Sequence, residues 1–205
     1  MKAAIVSLAA VMALVGPAHA DNGVPQFQVD PFWPKPLPNH WILGQVSGIA
    51  TDRNDRIWIV HRPGTLTTRE RAAEQRPPEA NCCIAAPPVL AFDQSGNLIR
   101  HWGGPGADFQ WPESEHGIFV DDADFVWLAG NGKKDGQLLK FTMDGKFVLQ
   151  IGKQGEGNDS SSTTGLGSPA DVAVGRIRQS SRSGLRFRNR GLQAPLGSLR
   201  QAAER

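Results

Sequence analysis

The chain has 205 residues, 22 of them basic and 20 acidic, a length that suits one domain. The charge is unevenly spread: Gly175 to Arg205 holds eight arginines, one acid (Glu204) and no lysine. Setting that segment aside leaves 14 basic against 19 acidic residues, so the body is acidic and gives no grounds for nucleic acid or an anionic membrane as partner.

Residues 1–20 read as a signal peptide rather than as part of the fold. Lys2 supplies a positive start, Ala3 to Val15 is apolar apart from Ser7, and Ala18-His19-Ala20 is a small-x-small cleavage pattern. The apolar run is shorter than the about 20 residues that span a bilayer, and no later segment reaches that length. A secreted or periplasmic protein without a membrane span is the expectation.

Residues 21–174 contain an internal repeat. Gly48 to Arg62 aligns with Gly117 to Asn131, placing Gly48, Ile49, Asp52, Asp55 and Trp58 on Gly117, Ile118, Asp121, Asp124 and Trp127. Each segment reads as two short strands about a polar turn. Asp52 and Asp121 suit turn-closing hydrogen bonds, and Trp58 and Trp127 suit repeated packing. Strand alternation turns His61 away from Arg62. Val89 to Gly103 aligns without a gap with Leu138 to Gly152, each a hairpin about Ser95-Gly96 or Asp144-Gly145. Four strands per repeat predict an all-β fold made of propeller blades, with a third repeat starting at Pro169 to Val174. Two blades and a start cannot close a ring of about 4–8, so exposed sheet faces, unpaired edges and an aggregation-prone product are expected.

Between the first two strand pairs lies an insertion, Pro63 to Pro88, that reads as a lid or binding loop. Its Cys82 and Cys83 are adjacent. Neighbouring Cα atoms lie about 3.8 Å apart across a trans peptide, less than the about 4.4–6.8 Å a disulfide usually spans. A vicinal bridge and two separate thiols both stay open. Gly152 to Gly167 reads as a flexible connector. The β alternation stops at Val174, and residues 175–205 read as an Arg-rich non-propeller tail, either disordered or an out-of-frame translation of a longer protein.

The repeat signature, a Gly-Ile strand with Asp three residues after the Ile, a strand carrying Trp, then a Phe-x3-Gly-x6-Gly hairpin, resembles the NHL family of β-propellers. Within it, Gln45 to Ile49, Val60-His61-Arg62, Glu115 to Ile118 and Pro169 to Val174 resemble the catalytic core of the peptidyl-α-hydroxyglycine α-amidating lyases. The resemblance spans roughly residues 41 to 174 and implies a six-bladed parent that cleaves a peptide-like substrate to an amide and glyoxylate. It implies His116 as one of three zinc ligands, zinc (with calcium as a second metal) as cofactor, and Arg62 as the catalytic group orienting a substrate carboxylate. A guanidinium fork suits that task through two parallel hydrogen bonds. None of His40, His61 and His101 occupies an equivalent place, and the tyrosine that the lyases use is missing, since the chain contains none. Activity of this chain by itself is therefore not expected. The competing reading is a non-catalytic NHL scaffold that binds protein or polysaccharide in the cell envelope.

Overall fold

The computed structural model describes residues 25–155, 166–176 and 183–188; the signal-peptide reading, most of the connector and most of the Arg-rich tail lie outside them. Residues up to Pro31 form one unit, whose described part, 25–31, contains no strand. Everything from Phe32 onward forms a second unit.

That second unit is all-β. Among the described residues, strands are interrupted only by two single 3-10 turns, Pro63–Thr65 and Ala72–Glu74. The first sheet is the meander β2 (Gln45–Thr51), β3 (Ile57–Arg62), β5 (Val89–Phe92) and β6 (Leu98–Trp102), after the short β1 (Trp41–Ile42). The second repeats it with β7 (Glu115–Val120), β8 (Phe125–Gly130), β9 (Gln137–Thr142) and β10 (Phe147–Gly152). Every neighbouring pair in these two sheets is antiparallel. The excursion between β3 and β5 is the insertion. Its β4 (Ile84–Ala85) pairs in parallel with β1.

The turns form for the reasons visible in the repeat. Asp52 accepts the backbone N–H groups of Asn54 (2.9 Å) and Arg56 (3.2 Å), and Asp121 accepts those of Ala123 (2.9 Å) and Phe125 (3.0 Å). The left-handed position of each turn is taken by Asp55 (φ 55°) or Asp124 (φ 63°), a conformation aspartate tolerates better than most side chains. The hairpin glycines Gly96 and Gly145 both sit at φ 78°, as a short hairpin turn requires.

The core lies between the two sheets. Trp58, Val60 and Val89 from the first meet Ile118, Leu128 and Phe141 from the second. Burial of each such side chain contributes about 1.5–3 kcal/mol. The indoles of Trp58 and Trp127 donate to Asp52 (2.9 Å) and Asp121 (2.8 Å), so the residues that close each turn also satisfy a buried tryptophan. A second cluster joins Trp127, Leu138 and Ile151 to Val172 of β11 (Asp171–Arg176).

One expectation is corrected here. The outer face of the first sheet is covered: Trp33, Leu37, Trp41 and Leu43 pack over Ile59, Leu90 and Phe92, with the Trp33 and Phe92 rings 5.6 Å apart. Sequence alignment between repeats missed this because the covering segment belongs to neither. Apolar side chains stay in the open on β2, with Val46 at 51% and Ile49 at 67% exposure, and also at Ile99 of β6 and Val148 of β10. β11 runs past Val174 to Arg176 and pairs antiparallel with β12 (Ser183–Arg188). Backbone pairing needs no hydrophobic alternation, so composition alone concealed it.

His61 faces away from Arg62, as alternation requires, and is fully buried. Its Nδ1 accepts the Gly44 N–H (3.1 Å), and its Nε2 donates to the Pro87 carbonyl (3.0 Å), tying the start of β2 to the end of the insertion. Burial, the largest cause, pushes its pKa below 6.5 although the carbonyls of Pro87 and Ala86 pull it upward. A folded-state pKa below the unfolded one means stability that is complete above the unfolded value and is lost as pH falls through the histidine range. Chemical denaturation at about pH 7.5 and about pH 5 is expected to give a lower unfolding free energy at the acidic end. His61→Gln is expected to flatten that slope, and an unchanged slope would count against the assignment.

Candidate functional site

Trp58, Val60 and Arg62 share one face of β3, so the alternation that buries the first two in the core carries Arg62 to its rim, opposite the start of β7. There the guanidinium is held at two points. Nε donates to the Glu115 carbonyl (2.7 Å) and Nη2 to Asn131 Oδ1 (3.2 Å), which also accepts from the Ser114 hydroxyl (2.8 Å). Thr65 braces the end of β3 by donating to the Arg62 carbonyl (2.8 Å) and accepting the Gln45 N–H (3.0 Å).

Arg62 opens onto a cleft of about 720 Å³, within the range of small-molecule sites. Trp41, Trp111 and prolines 63, 87, 88 and 105 form its apolar walls, and Arg62, Glu113, Ser114 and Glu115 supply polar groups. Both ends of the insertion line it, Pro63 to Thr65 on one side and Ala85 to Pro88 on the other. The two ends of the insertion therefore border this cleft. Within that loop Cys82 and Cys83 are joined by a disulfide, the vicinal bridge of the two possibilities.

Three residues of this site were not singled out from the sequence. Trp111 donates its indole N–H to Glu115 Oε1 (2.8 Å). Asp135, 1% exposed, accepts the N–H groups of Glu113 (2.8 Å), Ser114 (3.1 Å) and Gly132 (2.7 Å), pinning the segment that leads into β7. Glu115 itself is half-buried, and its burial, the largest cause, pushes its carboxyl above the usual range. The Trp111 hydrogen bond and the Arg62 charge act the other way without cancelling this, and the Asp135 charge adds to it. Glu115 could have been noticed as the acid in front of His116, but its burial depends on residues distant in sequence.

His116 lies elsewhere. Pairing between β7 and β8 slips between Glu115 and Gly117, so His116 occupies a β-bulge, a device that re-aims a side chain. Its Nδ1 is 2.8 Å from the Ala170 carbonyl, ahead of β11, and it does not line the Arg62 cleft. A carbonyl only accepts, so Nδ1 donates to it, and Nε2 is the ring nitrogen left to face a metal. Yet among the described residues no group of three or more His, Cys, Asp or Glu is gathered that could hold a metal. A catalytic zinc takes three protein ligands, so the described residues do not by themselves fit that ion. The two predicted site residues are thus adjacent through backbone, Arg62 holding the carbonyl before His116, but they open onto different surroundings. No helix among the described residues is long and apolar enough to cross a membrane. No protein-family model matches the chain, and no curated protein matches it in sequence.

Proposed function

We propose that the two four-stranded sheets are blades of an NHL-type β-propeller, and that the Arg62 cleft binds a small peptide-like substrate by its terminal carboxylate, as the resemblance to the amidating lyases implies. Support for the propeller lies in the first strands: Gly48 of β2 abuts the β7 backbone at His116 and Ile118, and Gly117 of β7 abuts Ala170 and Asp171 at β11. Successive first strands set side by side, with glycine at each contact, suit blades arranged about an axis. The observation that carries the carboxylate reading is the Arg62 fork, fixed through Nε and Nη2 at the mouth of an apolar-walled cleft. Export rests on the leader in residues 1–20.

The reading is tested with the whole chain and α-hydroxyhippurate, measuring glyoxylate release above the spontaneous rate, before and after chelation. Release that Arg62→Ala lowers by about 100-fold supports lyase chemistry at this cleft. Binding without release makes the cleft a recognition site on a non-catalytic scaffold. No binding of the carboxylate removes the proposal.

A further inference from the structure

We propose that the Cys82–Cys83 bridge is a thiol-exchange site, open to a dithiol reductant, and that its reduction loosens the wall of the Arg62 cleft formed by Ala85 to Pro88. The proposal does not depend on what the cleft binds.

A disulfide between distant residues stabilises chiefly by restricting the unfolded chain, and more so the longer the loop it closes. Cys82 and Cys83 are neighbours and enclose no segment at all. The bridge therefore adds little to global stability, and its effect is confined to the backbone on either side. That backbone changes character at the bridge. Residues 76–82 are all exposed, whereas Cys83 is half-buried and Ala86 is buried. From Ile84 onward the chain is anchored. The Ile84 and Ala86 N–H groups donate to the carbonyls of His40 and Ile42 (both 3.0 Å), and the Ala85 N–H donates to Glu74 Oε1 (2.6 Å). The Pro87 carbonyl accepts from His61 Nε2 (3.0 Å). Ala85 to Pro88 also line the cleft, as does Trp41, the partner of Ile84 in the β1–β4 pair.

The bridge thus stands at the boundary between an exposed arm and the cleft wall. Joining the two side chains removes torsional freedom from the residue that enters β4. Cys82 lies on the exposed side, and exposed disulfides are the labile ones. A thiolate of the reductant attacks the Cys82 sulfur to form a mixed disulfide, and Cys83 leaves as a thiolate that takes up a proton. The second thiol of the reductant then displaces Cys82, which is protonated in turn. Two electrons pass to the bridge, the reductant closes its own disulfide, and the protein gains two thiols. Cys83 then regains its freedom directly before a strand of only two residues, and so short a ladder opens readily once its entry is released.

The test is incubation of the whole chain with dithiothreitol in the absence of denaturant, followed by iodoacetamide labelling and amide hydrogen exchange. Labels on both Cys82 and Cys83 are expected, with exchange at Ile84 to Ala86 faster by about tenfold or more. Exchange along β3 and β8 is expected to stay unchanged, and the unfolding midpoint to move by less than about 3 °C. The double variant Cys82→Ser with Cys83→Ser, which cannot bridge, is expected to show the fast exchange with or without dithiothreitol. Labelling that requires denaturant overturns the exchange site. Labelling with unaltered exchange at Ile84 to Ala86 overturns the link to the cleft wall. A larger fall in the midpoint, with faster exchange throughout, would make the bridge a staple of the whole fold and overturn the proposal. So would a response of the double variant to dithiothreitol, because the effect would then lie outside the bridge.

Discussion

Asp52→Ala is expected to destabilise the chain by about 3–5 kcal/mol, a large share of the about 5–15 kcal/mol that holds a typical domain folded. One carboxylate here accepts from the Asn54 and Arg56 N–H groups, from Arg56 Nε (2.6 Å) and from the buried Trp58 indole. Alanine satisfies none of these donors, and the indole N–H is left in the core without a partner. Burial by itself would raise the Asp52 carboxyl, but the hydrogen bonds from Trp58, Asn54 and Arg56 together hold it below its ordinary value of 3.8. A depressed folded-state pKa contributes stability that is present above the unfolded value and lost as pH falls through the folded one. The alanine variant is therefore expected to lose part of the acid limb of the stability profile as well as its height. Denaturant unfolding followed by tryptophan fluorescence measures both. Asp52→Asn keeps an acceptor and should fall between the two proteins. A loss below about 0.5 kcal/mol in Asp52→Ala, the size of an ordinary surface substitution, would sink this account.

Gly48→Val is expected to force the two sheets apart where β2 meets β7 and to cost about 1–3 kcal/mol or more. A Cβ at Gly48 would lie 2.6 Å from the His116 carbonyl oxygen and 3.1 Å from the Ile118 nitrogen. Both are backbone atoms of a paired strand and cannot step aside as a side-chain tip can. Gly117 stands in the same relation to the next strand, 2.6 Å from the Ala170 oxygen and 2.9 Å from Asp171 Cα. Gly64 is the control, because a Cβ there meets nothing within 4 Å. Gly64→Ala is expected to leave the unfolding midpoint nearly unchanged, and Gly48→Val to lower it and to speed hydrogen exchange along β7. Equal behaviour of the two variants would show that the close approach is not what the repeated glycine serves.

The sheets were legible in the chain because the forces that make them are local. Alternation along β3 and β8, positive-φ residues at Asp55, Asp124, Gly96 and Gly145, and the recurring Asp-Trp pair act within a few residues, and they recur in both repeats. Arg62 was singled out by the family resemblance, and in the fold it shares the face of Trp58 at two residues per step along β3. What joins one sheet to the next was not. The cover over the first sheet comes from Trp33 to Leu43, outside any repeat. The cleft takes side chains from positions as distant as Trp41, Arg62, Pro88 and Glu115. The sequence by itself determined the four-strand units and that His61 and Arg62 face opposite ways. Only the tertiary structure decided that Glu115 is half-buried beside Arg62, that Asp135 locks the approach to it, and that His116 turns at a bulge toward Ala170. Burial and electrostatic environment are sums over neighbours brought together by packing, and no local pattern of residue types encodes such a sum.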